Sequence, residues 1–225
     1  MELLIDDANI EVIKKLYDLY PIDGVTTNPS ILAKTKRDPK EVLTEIREFI
    51  GPESLLFVQA TALNAEGIVK DAHAIVKAFG SNTIIKIPCI PEGFKAMKAL
   101  KKEGIATCGT VVYTPLQAFI AAKSGAAYVA PYVNRIDNLG YDGVGTVKQM
   151  QDILDVHDMP TKILAASFKN SQQVLELCAY GIEACTAAGD VIENFVNNAA
   201  VDKAVEAFAN DFHKLTGKDN MSDVL

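Results

Sequence analysis

The sequence has 225 residues, 49% of them hydrophobic and 23% charged, which is enough apolar material for one sizeable core and argues against a disordered chain. Its 22 basic and 29 acidic residues leave a net charge of −7, with no basic run interleaved with aromatics, so nucleic acid is not expected as a partner and an anionic substrate would need a local basic pocket. No apolar run approaches the roughly 20 residues that span a bilayer, and "MELLIDDANI" at the start is not a basic stretch followed by an apolar one; a cytoplasmic protein with no membrane partner is expected.

In chain order, short apolar strands alternate with amphipathic helices. "ELLID" (2–6) ends on Asp6 and precedes Ile10, Ile13, Leu16 and Tyr17 at helical spacing. "DGVTT" (23–27) runs into Thr26-Thr27-Asn28-Pro29-Ser30. "LLFVQ" (55–59) ends on Gln59, and Asn64 before "AEG" marks the next helix start. "TIIKI" (83–87) carries Lys86 and is followed by Pro91-Glu92 before "GFKAMKAL". "ATCGTVVY" (106–113) carries Thr110 and Tyr113, and Pro115 opens the helix after it. "AAYVAP" (126–131) leads into Tyr132, Asn134 and Arg135, and the glycines of "DNLGYDGVGT" (137–146) read as a flexible loop. "KILAAS" (162–167) leads into Ser167 and Lys169, and "IEACT" (182–186) is the eighth strand.

Eight such units predict an α/β fold, a (β/α)₈ TIM barrel, somewhat below the usual ~250 residues and so with short loops. An open doubly wound sheet would carry a glycine-rich turn after its first strand, and Asp6-Asp7-Ala8-Asn9 has no glycine. Residues 1–225 read as a single domain with a C-terminal helical extension over 199–225. There Val201, Val205, Phe208, Phe212 and Leu215 share one stripe, which must pack against its own barrel or against a neighbouring subunit. Cys89, Cys108, Cys178 and Cys185 form no C-x-x-C pair and are expected as free, buried thiols. His73, His157 and His213 form no H-E-x-x-H pattern, so no metal is expected.

Lys86 is the residue that needs explaining. A β-branched run closed by Pro88 reads as a strand buried on both faces, with no wet side for a cation. Alternation puts Ile85 and Ile87 on one face and Ile84 with Lys86 on the other. Either the ammonium snorkels out along its own stem, or it is a desolvated amine of the kind that forms Schiff bases. Catalysis in a barrel occurs where strands end, and there seven strands offer polar groups: Asp6, Thr26, Asn28, Gln59, Lys86, Thr110, Tyr113, Tyr132, Asn134, Arg135, Ser167 and Lys169. A carboxylate, hydroxyls and amides around a buried lysine suit Schiff-base chemistry on a hydroxylated carbonyl compound, and Arg135 with Ser167 and Lys169 suits a phosphate.

"GVTTNPS" (24–30), "IIKIP" (84–88), "APYVNRID" (130–137) and "AASFK" (165–169) together resemble the small-subunit transaldolase family, and within it the fructose-6-phosphate aldolase branch, from Asp6 to about residue 215. The resemblance implies a class I aldolase that needs no cofactor and no metal, with Lys86 as the Schiff-base lysine and Asp6 assisting proton transfer. Asn28 would hold substrate hydroxyls, Thr110, Gln59 and Tyr132 would surround the catalytic water, and Arg135, Ser167 and Lys169 would clamp phosphate. It also implies a homo-oligomer, a ring of five subunits stacked in pairs into a decamer. "CTAAGD" after the eighth strand departs from the family's pattern, so the resemblance gives it no role.

The expected reaction is cleavage and formation of fructose 6-phosphate from dihydroxyacetone and glyceraldehyde 3-phosphate. One alternative is transfer of the dihydroxyacetone unit between sugar phosphates, as in the pentose phosphate pathway. The other is a catalytically silent barrel that binds sugar phosphates, against which the intact Lys86, Asp6 and Asn28 argue. The transferring branch of the family commonly has glutamate and phenylalanine where this chain has Gln59 and Tyr132. An amide cannot accept a proton from water, whereas a phenol can relay one.

Overall fold

In a computed structural model describing all 225 residues, eight parallel strands close into a barrel in chain order, each paired with its sequence neighbour and β8 with β1. They are β1 (Glu2–Asp6), β2 (Gly24–Thr26), β3 (Leu55–Gln59), β4 (Thr83–Pro88), β5 (Thr107–Val112), β6 (Tyr128–Pro131), β7 (Lys162–Ala165) and β8 (Ala184–Ala187). The helices between them are α1 (Ile10–Leu19), α2 (Pro29–Lys34), α3 (Pro39–Ile50), α4 (Ala65–Phe79), α5 (Pro91–Lys102), α6 (Pro115–Lys123), α7 (Val133–Asn138), α8 (Gly143–Val156) and α9 (Ser171–Tyr180), with α10 (Gly189–Glu193) after β8. The expected (β/α)₈ architecture is present in full.

The helix starts follow from the capping chemistry. Asn9, Asn28 and Asn64 each accept a backbone N–H of the first turn, at 3.0, 3.0 and 2.8 Å. Pro91 and Pro115 stand in first turns, where no N–H is needed. Strand alternation then divides the core into two parts. Leu4, Phe57, Ile84, Cys108, Tyr128, Ala130, Leu164 and Ala184 fill the barrel interior as one cluster. The alternate residues, Ile5, Val25, Leu56, Ile85, Ile87, Val129 and Ile163 among them, are buried under the helices. Each such side chain contributes about 1.5–3 kcal/mol on burial, so shifting a strand by one residue would sacrifice both layers. The N-terminal mouth is closed by charge: Lys162 Nζ pairs with Glu2, and the Tyr128 hydroxyl donates to the same carboxylate at 2.9 Å.

Two local expectations change, and one strand carries an irregularity that the sequence does not announce. The stretch 137–146 is not a long loop, because α7 runs through Asn138 and α8 starts at Gly143. The Asp137 carboxylate accepts the Gly143 N–H at 2.7 Å, and Asp142 caps α8 through the Gly145 N–H at 2.8 Å. Gly143 is there for close packing, since a Cβ would stand 2.3 Å from the Val133 carbonyl oxygen. Strand β5 is not regular either: its register to β6 shifts between Gly109 and Val112, and Val111 adopts a φ of +60°, costly for a β-branched residue. Of the four free cysteines, Cys178 is exposed and the others are buried.

The chain comprises two compact units, Met1–Ile192 and Glu193–Leu225. The second is built on α11 (Ala199–Thr216), capped by Asn198 and ended by Gly217 at a φ of +69°, with a 3₁₀ turn at Met221–Asp223. None of the residues of α11 is buried, and Val201, Val205, Phe208 and Leu215 are exposed. No helix of the structure is long and apolar enough to cross a membrane.

Candidate active site

Strand β4 pairs Lys86 with Gln59 on one side and Cys108 on the other, and its alternation turns the lysine inward. Only 5% of Lys86 is accessible, which rules out an ammonium led out to bulk solvent. Its Nζ donates to the Thr27 backbone carbonyl at 2.9 Å. That carbonyl is held by the end of β2: Thr27 N–H and Thr27 Oγ1 both donate to the Phe57 carbonyl, each at 3.0 Å. Beneath the amine lies Cys108, whose thiol burial pushes up to about 12, against the opposing charge of Lys86. It is therefore a neutral filler of the interior.

Lys86 opens into a cavity of about 210 Å³ at the C-terminal mouth of the barrel. This is below the ~300–1,000 Å³ typical of drug-sized sites and suits a small, hydroxylated ligand. Asp6, Asn28, Ser30, Gln59, Tyr132, Arg135, Ser167 and Thr186 line its wall. Ala130, Leu164 and Ala166 supply its apolar floor. The Gln59 amide and the Ser167 hydroxyl make no hydrogen bond to protein. The Asn28 carbonyl oxygen is used in capping α2, which leaves its amide N–H groups for a ligand.

The carboxylate belongs to a chain of three groups. Thr26 Oγ1 donates to Asp6 Oδ1 at 2.8 Å and lies 2.6 Å from Thr186 Oγ1. Burial pushes the Asp6 carboxyl above the ordinary range, while the charge of Lys86 and the Thr26 hydrogen bond pull the other way. Such a group can take and return a proton nearer neutrality than an ordinary aspartate does.

A second group is built around Tyr132. Its hydroxyl is 2.9 Å from Thr110 Oγ1, its ring meets Tyr113 edge to face at 5.7 Å, and the Arg135 guanidinium lies 4.5 Å above it. Burial raises the phenol's pKa, against the Thr110 hydrogen bond and the charge of Arg135, so at neutral pH it holds a proton it can donate. The strained Val111 turns the backbone between Thr110 and Tyr113. Ser167, with Lys36, Val111 and Asp158 one of four non-glycine residues at positive φ, has a φ of +61°, and its carbonyl accepts the Asn134 N–H at 2.9 Å. Of these, Ser167 lines the cavity, where such strain commonly accompanies function.

Of the residues singled out in the sequence, Asp6, Asn28, Gln59, Lys86, Tyr132, Arg135 and Ser167 line one cavity. Thr26 and Thr110 stand behind that wall, fully buried and bonded to Asp6 and Tyr132. Asn134 and Lys169 are not in the wall; Lys169 is exposed just ahead of α9, its N–H donating to Gln173 Oε1 at 2.7 Å. Two participants were not singled out. Thr186 stands next to the last residue of β8, at the same mouth of the barrel as Asp6, so the rule that found the others extends to it. The Thr27 carbonyl is a backbone group, which side-chain types do not reveal. No three His, Cys, Asp or Glu side chains gather as a metal site.

The sequence model of the family described as "Transaldolase/Fructose-6-phosphate aldolase" matches residues 3–223. Among solved structures, the chain is similar to one described as "Native KDPGal structure", with a TM-score of 0.57 and 13% identity over 88% of this chain and 85% of that one. At that identity the likeness concerns the fold alone.

Proposed function

The chain belongs to the transaldolase/fructose-6-phosphate aldolase family, and from that premise we propose that it is a class I aldolase, splitting fructose 6-phosphate into dihydroxyacetone and glyceraldehyde 3-phosphate and running the reverse addition. The observation that carries this reading is Lys86 itself: an amine 5% accessible, held by one carbonyl and opening only onto a polar cavity.

Cleaving the C3–C4 bond of a ketose leaves two electrons on C3, and an iminium at C2 accepts them far better than a ketone does. Lys86 Nζ adds to C2 and water leaves, giving that iminium. Asp6 takes the C4 hydroxyl proton, the bond electrons move into the enamine, and the aldehyde phosphate departs. The phenol of Tyr132, oriented by Thr110, delivers a proton to C3; water then adds at C2 and releases dihydroxyacetone and the free amine with the proton used to form the iminium, and Asp6 returns its own proton to restore Tyr132. Asn28 donates to the sugar hydroxyls. Arg135 and Ser167, with Lys169 outside the cavity wall, receive the phosphate, supplying locally the positive charge that a chain of net charge −7 lacks overall.

Cleavage is favoured over transfer because the enamine is quenched before a second sugar phosphate arrives. Gln59 orients water without removing its proton, and Tyr132 provides the quenching proton. The test is a coupled assay of glyceraldehyde 3-phosphate release from fructose 6-phosphate, with and without erythrose 4-phosphate. Release without the second sugar is expected; release only with it would make the enzyme a transaldolase.

A further inference from the structure

The eighth strand supplies a group that the reaction as described leaves unused. Thr186 is 2% accessible and lines the cavity, and β8 fixes its position through the pairing of Leu4 with Thr186. Its Oγ1 lies 2.6 Å from Thr26 Oγ1, whose own contact to Asp6 Oδ1 is 2.8 Å. We propose that Thr186 is a positioning residue, the outer end of a two-hydroxyl chain that acts through Thr26 to commit a hydrogen bond to the Asp6 carboxylate and to follow that group as it gains and loses a proton. This rests on the aldolase reading, in which Asp6 takes and returns the proton.

The argument is proton accounting. A threonine hydroxyl has one proton and two lone pairs, and an ionised carboxylate only accepts. With Asp6 ionised, the Thr26 proton goes to Oδ1, so the 2.6 Å contact must be Thr186 donating to Thr26. Once Asp6 is protonated the chain can reverse: Asp6 donates to Thr26, and Thr26 donates to Thr186, whose own proton turns to the cavity it lines. Both orders leave every buried group paired. Without the outer hydroxyl Thr26 can still donate to Oδ1 of a carboxyl protonated on Oδ2, so the protonated form loses little, whereas the ionised form loses the cooperative strengthening that a second donor gives the first.

The experiment uses Thr186→Val, which preserves shape without the hydroxyl, Thr186→Ser, which restores the hydroxyl, and Thr26→Val alone and combined with Thr186→Val. Thr186→Val should lower kcat about three- to tenfold with KM little changed, short of the ~10²-fold loss of a group that itself transfers a proton. Thr186→Ser should recover most of the rate. The Asp6 carboxyl, followed by ¹³C NMR in the resting protein and assigned through Asp6→Asn, should titrate at higher pH in Thr186→Val than in wild type. In the Thr26→Val background the same change should move neither rate nor midpoint, because the path to Asp6 is already cut. Wild-type kinetics and midpoint in Thr186→Val would overturn the proposal, as would an effect that persists undiminished without the Thr26 hydroxyl. Failure of the underlying reading has a different signature: wild type itself would trap no dihydroxyacetone on borohydride reduction.

Discussion

Replacing Tyr132 by phenylalanine removes one oxygen and separates two roles of the residue. The ring keeps its edge contact with Tyr113 and its place under Arg135, so the packing of the pocket survives. What disappears is the partner of Thr110 Oγ1, 2.9 Å away and fully buried. An orphaned buried hydroxyl costs about 1–3 kcal/mol, so the variant should unfold at measurably lower denaturant yet remain folded at 25 °C. In the reaction, the enamine loses its nearest proton donor. Cleavage of fructose 6-phosphate should drop by roughly 10- to 10²-fold, about 1.4–2.7 kcal/mol of barrier. Transfer to erythrose 4-phosphate needs no protonation of the enamine and should be spared or increased. The assay is glyceraldehyde 3-phosphate release from fructose 6-phosphate with and without erythrose 4-phosphate, on wild type and variant side by side. If both activities fall in parallel, or neither changes, Tyr132 is a packing residue and the reasoning fails.

Arg135→Ala should chiefly raise KM for phosphorylated substrates and leave small non-phosphorylated acceptors much less affected; equal losses for both would remove Arg135 from the phosphate site. Asp6→Asn should be inactive or nearly so, yet melt at higher temperature than wild type at pH 8. Burial raises the folded-state pKa of Asp6 above its unfolded value, so the ionised form costs stability at pH above the folded pKa. The gain should fade as pH falls through that pKa, and a gain independent of pH, or a loss at pH 8, would contradict the assignment. Deleting residues 199–225 removes the exposed Val201, Val205, Phe208 and Leu215, a row that invites association between subunits. Light scattering should then report a smaller particle than the full-length chain gives, and an unchanged mass would count against a subunit contact there.

Much of the barrel was legible because each strand is a short, largely apolar run alternating with helical spacing, and because the helix starts at Asn64, Pro91 and Pro115 obey local chemistry. Lys86 was legible for the same reason: a strand buried on both faces leaves a lysine only the interior or the strand's end. What sequence could not show was decided by tertiary contact. Gly143 reads as flexibility in isolation, while in the fold its missing Cβ lets α8 approach the Val133 carbonyl. The left-handed Val111 has no local signal at all, since the register shift between β5 and β6 imposes it. Lys169 matches the composition of a phosphate clamp, but it lies exposed just ahead of α9 and outside the cavity wall. The Thr27 carbonyl is a backbone atom, and only the end of β2 aims it at Lys86.

The central claim, that Lys86 is the covalent amine, is tested most directly by reducing the protein with borohydride in the presence of dihydroxyacetone and locating the added mass by peptide mapping. The account predicts that the mass falls on the peptide containing Lys86, and that Lys86→Met takes up none and does not cleave fructose 6-phosphate. Label on another lysine such as Lys162, or undiminished activity in Lys86→Met, would contradict it.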